Sequence, residues 1–283
     1  MPHADHRTIG GHRVPRLFYG TAWKEDATEA LVTSALAAGF RAIDTANQRK
    51  HYYEEGVGRA VTAALGSGRV ARDDLFVQSK FTFRDGQDDR LPYDADAPVA
   101  TQVAQSFARS LEHLGLDRLD SLVLHAPSRR NGLGPADHEA WRAMEALVDD
   151  GRVRLLGISN AGAGQLDELA AFARIAPAFV QNRCYADRGF DRAVRAVCAR
   201  HGWHYQAFSL LTANRTVVDD PQLLAIAAAH RRTPAQVMFA FALQLGMFPL
   251  TGTRDPAHMR DDLAALAVEL TPAELATIEA LGG

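Results

Sequence analysis

The chain has 283 residues, 47% of them hydrophobic and 23% charged, and a formal net charge of −3. These values are typical of a globular protein with one large core. The mild acidity and the lack of a basic face argue against nucleic acid as a partner, and no apolar run is long enough to span a bilayer.

Eight short apolar segments, each followed by a helical pattern, are predicted in chain order. The predicted strands are residues 17–21, 41–44, 74–81, 122–125, 153–160, 178–182, 203–210 and 248–252. The predicted helices are residues 28–38, 54–65, 103–114, 140–148, 164–174, 192–201, 221–230, 234–245 and 258–267, followed by a terminal helix that begins at Pro272.

Strands that alternate with helices predict a parallel sheet. Eight such units in a chain of this length predict an α/β fold, the closed (β/α)8 TIM barrel, with an extra helix at the C-terminus. No linker or repeat interrupts the pattern, so residues 1–283 are predicted to form a single domain. The barrel predicts in turn that the chemistry lies at the carboxyl ends of the strands.

Three ionisable side chains end successive strands, namely Asp44, Lys80 and His125. A carboxylate beside an ammonium favours the charged lysine, and a charged lysine favours the phenolate form of a nearby tyrosine. Such a relay could donate a proton to a carbonyl oxygen, with His125 orienting the substrate or stabilising an oxyanion. A buried ion pair and a core histidine would be the alternative for the same residues taken singly.

Polar groups also end the fifth and sixth strands. Ser159, Asn160 and Gln181 offer the hydroxyl and amide groups that suit a carboxamide, although Ser159 and Asn160 could equally cap the next helix. Phe208, followed by Ser209, ends the seventh strand and could stack on a flat ring or belong to the rim of the core.

Residues 251–262 form another group of candidate site residues, in which a Gly-Thr turn precedes a helix. Backbone N–H groups at a helix N-terminus suit an anion, and Arg254 or His258 could pair with a phosphate. Asp261 and Asp262 could accept hydrogen bonds from an adenine amine. The alternative is an ordinary surface turn with a solvated helix face.

Several common motifs are missing. No G-x-G-x-x-G follows a strand and no Walker sequence occurs, so a Rossmann or P-loop site is not expected. The 11 histidines include no pair at metal-ligand spacing, so no metal is expected.

Together these segments resemble the aldo-keto reductase family over almost the whole chain. The segments that carry the resemblance are 42–46, 54–58, 79–80, 124–127, 157–160 and 252–262. The resemblance implies a (β/α)8 barrel that binds an extended nicotinamide dinucleotide, usually NADPH, without a Rossmann fold. It implies a catalytic role for Asp44, Lys80 and His125. It implies cofactor contacts for Gly20, Thr21, Asp44, Ser159, Asn160, Gln181, Phe208, Ser209, Gly252, Thr253, Arg254, His258, Asp261 and Asp262.

The loop after Asp44 departs from the family pattern. The family's catalytic tyrosine lies five residues after the aspartate, where this chain has Arg49, and counting back from the next helix instead reaches His51. The loop therefore carries about two extra residues. Tyr52 is the predicted proton donor, with Tyr53 and His51 as alternatives, because a histidine is also a competent acid near neutrality.

The leading functional prediction is an NADPH-dependent reductase of aldehydes or ketones. A non-catalytic or substrate-specialised nicotinamide-binding protein is the alternative, and a lyase that uses Lys80 as a Schiff-base amine is a remote one. The predicted preference for NADPH over NADH depends mainly on Arg254.

The expected partner is a small-molecule carbonyl compound, and the expected state is a monomer or small homo-oligomer. The polar first residues contain no signal-peptide core. The two cysteines, Cys184 and Cys198, are too few for a disulfide framework, so a reducing cytoplasm is the expected location.

Overall fold

The structure is a computed structural model that describes residues 5–282. Residues 1–4 and 283 lie outside the described residues. They include both ends of the predicted 1–283 domain and the start of the segment in which no signal peptide was expected. Within residues 5–282, no helix combines the length and the apolar character that a membrane crossing requires.

The described chain contains ten strands. They are β1 (His6–Ile9), β2 (His12–Pro15), β3 (Phe18–Gly20), β4 (Ala42–Asp44), β5 (Phe76–Phe81), β6 (Leu119–Leu124), β7 (Val153–Ser159), β8 (Phe179–Arg183), β9 (His204–Phe208) and β10 (Phe248–Thr251). Strands β3 to β10 form a closed barrel of parallel neighbours, and β10 pairs with β3 to complete it. The predicted (β/α)8 barrel is confirmed.

Helices connect the barrel strands. They are α1 (Thr28–Ala38), α2 (Glu54–Gly66), α3 (Val99–Leu114), α4 (Pro135–Asp149), α5 (Ala163–Phe172), α6 (Arg192–His201), α7 (Arg215–Val218), α8 (Pro221–His230), α9 (Pro234–Gln244), α10 (Pro256–Ala264) and α11 (Pro272–Ala280). The extra C-terminal helix predicted from Pro272 is α11, where Thr271 caps the first turn and pairs reciprocally with Glu274.

Among the strands and α-helices of the described chain, the β1–β2 hairpin and the short helix α7 were not predicted. The hairpin turn is Gly10-Gly11, and both residues have positive φ, which is the conformation that a two-residue hairpin turn requires. Buried Ile9 and Val14 pack against residues that begin the barrel strands, so the hairpin covers the amino-terminal end of the barrel.

Inward-facing residues of the barrel follow the period of two that strands impose. The lowest layer is apolar and contains Phe18, Phe76, Phe179 and Phe248, whose rings meet edge to face. Gln78 and Gln181 are buried two residues beyond Phe76 and Phe179, and the neighbouring strand β9 adds the buried Gln206, which pairs in register with Gln181. The barrel interior thus becomes polar toward the carboxyl ends of its strands.

Helix α2 fixes the far end of the loop that follows Asp44. Its Gly58 lies so close to α3 that an added Cβ would overlap the His113 carbonyl oxygen and lie 2.8 Å from Leu114 Cα. Glu54, the first residue of α2, is buried and accepts hydrogen bonds from Ser79 and Ser110. These contacts connect α2 to both β5 and α3.

Candidate active site

A cavity of about 770 Å³ opens at the carboxyl ends of the barrel strands. The predicted site residues that line it are Gly20, Asp44, His51, Tyr52, His125, Ser159, Asn160, Gln181, Phe208, Ser209, Gly252, Thr253, His258, Asp261 and Asp262. Four predicted residues lie outside this lining, namely Thr21, Tyr53, Lys80 and Arg254.

Lys80 is buried outside the cavity lining and is paired with Asp44, which belongs to that lining. Its Nζ donates to both carboxylate oxygens of Asp44, at 2.8 and 2.7 Å, and to the Thr45 carbonyl oxygen at 2.8 Å. These bonds use all three ammonium hydrogens. Burial lowers the pKa of Lys80 from its ordinary value, although the Asp44 carboxylate acts in the opposite direction.

Two buried glutamines hold the Asp44 carboxylate, and a third glutamine links them. Gln78 and Gln181 each donate from Nε2 to Asp44 Oδ1, at 2.7 and 2.9 Å. Both also donate to Oε1 of Gln206, and Gln206 donates back to Gln78. Sequence reasoning missed Gln78 and Gln206, although Gln78 lies at the inward period of two between Phe76 and Lys80.

Tyr52 is the tyrosine that the loop after Asp44 places near the Asp44–Lys80 ion pair. Lys80 Nζ lies 5.1 Å from the Tyr52 ring centroid, and the His125 ring lies 5.8 Å away, edge to face. The Tyr52 hydroxyl has no hydrogen-bond partner within residues 5–282. Burial, and then the Asp44 carboxylate, raise the pKa of Tyr52 above its ordinary value.

This direction is opposite to the lowering that Lys80 was expected to cause. The Lys80 ammonium donates its hydrogens to Asp44 and Thr45. It faces the Tyr52 ring and does not donate to the Tyr52 hydroxyl oxygen. The desolvation of the phenolate therefore dominates.

His51 and Tyr53 point in different directions from Tyr52. The His51 ring lies against Trp23, with centroids 3.9 Å apart, and burial and Lys50 lower its pKa. Tyr53 lies instead between two guanidinium groups, 4.4 Å from Arg49 and 5.3 Å from Arg59. The structure therefore brings His51 to the cavity and leaves Tyr53 outside it.

His125 lines the cavity and is held by one neighbour. Its Nδ1 lies 2.7 Å from the Thr82 hydroxyl. Burial, together with the charge of Lys80, lowers the pKa of His125 well below its ordinary value, so the ring is neutral at neutral pH.

The amide-binding set forms one connected group. Asn160 donates both Nδ2 hydrogens, to the His125 carbonyl and to Ser159 Oγ. Gln181 likewise uses both amide hydrogens, on Asp44 and Gln206. Two carbonyl oxygens, Asn160 Oδ1 and Gln181 Oε1, remain without partners among the described residues, as does the Ser159 hydroxyl hydrogen. This is the complement of a carboxamide, which has one acceptor and two donors.

The opposite end of the cavity carries carboxylates. Asp262 accepts from the Thr251 hydroxyl at 2.7 Å, and burial raises its pKa to about 6 despite that bond. Thr21, predicted as a cofactor contact, donates from its hydroxyl to the Asp44 carbonyl at 2.9 Å. The hydrogen-bonding groups of the cavity fit an extended dinucleotide. The partners of a carboxamide lie at one end, and carboxylate acceptors lie at the other. In the described part of the chain, no group of three or more potential metal ligands comes together.

Comparison with known proteins gives a consistent result. The model of the Aldo/keto reductase family matches residues 10–282. An aldo-keto reductase of Mycolicibacterium vanbaalenii is 32% identical over 270 residues, which is 95% of this chain and 88% of that protein. Aldo-keto reductase family 1 member A1 of Mus musculus is 27% identical, over 96% of this chain and 87% of its own length.

A solved structure of similar fold is an aldo/keto reductase from Brucella melitensis. Its TM-score is 0.81 at 27% identity, and the match covers 99% of each chain. The family consists of oxidoreductases that act on carbonyl compounds and generally use NAD(P)H. Since both sequence and fold match over nearly its full length, this chain belongs to the aldo/keto reductase family and is an oxidoreductase.

Proposed function

We propose that the chain reduces an aldehyde or ketone to an alcohol with a nicotinamide dinucleotide, and that Tyr52 donates the proton to the carbonyl oxygen. One observation carries this assignment. Tyr52 lines the cavity with its ring centroid 5.1 Å from the Lys80 ammonium and 5.8 Å from the His125 ring, and its hydroxyl forms no hydrogen bond with the described residues.

The bound cofactor would supply a hydride to the carbonyl carbon. Tyr52 gives its hydroxyl proton to the carbonyl oxygen, and the charge of Lys80 stabilises the phenolate that remains. Asp44 holds Lys80 in place. Neutral His125 donates from Nε2 to the same carbonyl oxygen when Thr82 donates to Nδ1, which orients the substrate.

The carboxamide partners would position the cofactor's reactive ring. Ser159 would donate to the amide oxygen, and the free carbonyl oxygens of Asn160 and Gln181 would accept from the amide nitrogen. Phe208 lines the cavity two residues beyond Gln206 on β9, where it would stack on a flat ring.

Adjacent tyrosines provide a matched test. We expect Tyr52→Phe to lower kcat for reduction of a panel of aldehydes and ketones by about 100-fold or more, because a general acid contributes on this scale. Tyr53→Phe, whose ring lies between two arginines, should stay within about twofold of wild type. The measurement is the loss of NADH and NADPH absorbance at saturating substrate.

The outcomes separate the alternatives. Equal losses in the two variants would contradict the assignment of Tyr52, and a loss confined to His51→Gln would transfer the role to His51. Cofactor binding without turnover on any carbonyl would favour the non-catalytic alternative. A borohydride-trapped adduct on Lys80 would favour the lyase, although three hydrogen bonds already occupy that ammonium.

Three further expectations belong to this proposal. The substrate is a small-molecule carbonyl compound, and the protein is a monomer or small homo-oligomer. A cytoplasmic location is supported by Cys184 and Cys198, which are both free thiols. The preference for NADPH predicted from Arg254 concerns the opposite end of the cavity.

A further inference from the structure

The far end of the cavity, defined here by Gly252, Thr253, His258, Asp261 and Asp262, carries more negative than positive charge. We propose that this end selects the unphosphorylated cofactor, so that the chain binds NADH in preference to NADPH. The proposal builds on the nicotinamide-dependent function above, and it reverses the preference predicted from Arg254.

The first argument concerns the cations near this end. Arg254 is exposed, lies outside the cavity lining and forms no ion pair with residues 5–282. Lys24 is buried and also lies outside the lining, and its Nζ donates to the Gly252 carbonyl at 2.8 Å and faces the Tyr19 ring. The Lys24 ammonium is therefore already engaged by protein groups, and no ion pair with the described residues holds the Arg254 guanidinium over the cavity.

The second argument concerns the N-terminus of α10, which was predicted to bind an anion. The Asp255 carboxylate already accepts from the Ala257 N–H at 2.7 Å and caps the helix. Pro256, the first helical residue, has no N–H to offer. The protein's own carboxylate therefore takes the place that an external phosphate would need.

The third argument concerns the carboxylates of the lining itself. Asp261 and Asp262 both line this end, and Asp255 lies just outside it. A phosphate monoester carries about −1.5 to −2 charges near neutral pH and would be repelled by them. A ribose 2′-hydroxyl can instead donate to a carboxylate, which is the general chemistry by which acidic residues favour NAD over NADP.

Direct binding tests the proposal without relying on turnover. Isothermal titration of the wild-type protein with NAD⁺ and with NADP⁺ should give a Kd for NAD⁺ that is lower by about tenfold or more. Asp261→Asn and, separately, Asp255→Ser should each improve NADP⁺ binding by about threefold or more. Serine at position 255 keeps an oxygen that can cap α10.

Asp150→Asn is the control, because Asp150 is an exposed carboxylate at the opposite end of the barrel, before β7. It should leave both dissociation constants unchanged. Circular dichroism checks that each variant is folded. If neither aspartate variant folds, the ratio of the wild-type Kd values for NAD⁺ and NADP⁺ decides whether the proposed selectivity holds.

Binding of NADP⁺ as tight as or tighter than NAD⁺ by the wild type would overturn the selectivity while leaving the reductase proposal intact. Equal effects of Asp261→Asn on both cofactors would remove the role assigned to that carboxylate. Binding of neither dinucleotide would contradict the cofactor requirement itself, which is a separate failure.

Discussion

Neighbouring residues of the loop after Asp44 differ in how the protein changes their ionisation. The pKa of Tyr52 is raised by burial and by Asp44, so the phenol keeps its proton into the alkaline range. The pKa of His51 is lowered by burial and by Lys50, so its imidazole is neutral above its ordinary value of about 6.5. A proton donor at either position would therefore give a different pH dependence.

With Tyr52 as donor, we expect kcat for carbonyl reduction to vary by less than about threefold between roughly pH 6.5 and pH 9. Tyr52 stays protonated over this range, and His125 stays neutral because its pKa is well below the ordinary value. The pH profile of kcat for the wild type and for His51→Gln measures this, and both should be flat. A rate that rises as the pH falls through 6.5 would indicate a cationic histidine donor instead.

Sequence reasoning could predict which residues come together where strand ends fix their direction, although their roles stay predictions. Asp44, Lys80 and His125 could be predicted because each terminates an apolar strand, and the barrel sends strand ends into one mouth. The choice among Tyr52, Tyr53 and His51 could not, because a loop side chain's direction depends on backbone angles that no periodicity reports. The position of the Arg254 guanidinium could not be predicted for the same reason, since nearness in sequence to Gly252 does not set where a side chain lies.

At the scale of elements, α2 and α3 pack unusually closely where Gly58 faces the backbone of Leu114. Glu54, at the start of α2, adds hydrogen bonds to Ser110 of α3. Since the loop with Tyr52 leads directly into α2, this contact also determines where that loop ends. Close approach of two helices needs small residues at the point of contact.

We expect Gly58→Ala to lower the free energy of unfolding by about 2 kcal/mol or more, because the new methyl would meet backbone atoms that cannot rotate away. Gly66→Ala, in the same helix but with open space around it, should change stability by less than about 1 kcal/mol. Urea denaturation of both variants measures the difference. Similar stability of the two variants would show that α2 and α3 can separate without cost.

The hairpin illustrates how an element can escape prediction. Residues 6–15 are mostly polar, and the two strands are too short to signal a core strand. Gly10-Gly11 is nevertheless a turn signal that is typical of a two-residue hairpin. The barrel strands were predicted because buried parallel strands are continuously apolar, a pattern that β1 and β2 lack.

At the scale of the whole molecule, both cysteines lie inside the barrel's helical layer and its loops. Cys184 and Cys198 are at most 2% exposed, and burial raises the pKa of each thiol to about 12. A thiol with such a pKa is a poor nucleophile at neutral pH.

Native protein should therefore react with no more than traces of a thiol reagent, whereas protein in guanidinium chloride should react at both cysteines. The reason is that labelling requires the core to open, so its rate reports the opening of the native state. Mass spectrometry after timed labelling measures it. Rapid modification of Cys184 in native protein would contradict the packing described around β8.

The glutamines that hold the Asp44 carboxylate also have a consequence for the site. Gln78 and Gln181 turn their donors toward the carboxylate, and Gln206 accepts from both. Water around a carboxylate must reorient whenever the neighbouring charge changes, whereas these amides are fixed by the barrel strands. Gln78 and Gln181 thus take the place of water around the Asp44 carboxylate, and Gln206 holds both amides in that orientation, so the negative partner of Lys80 is solvated by fixed groups.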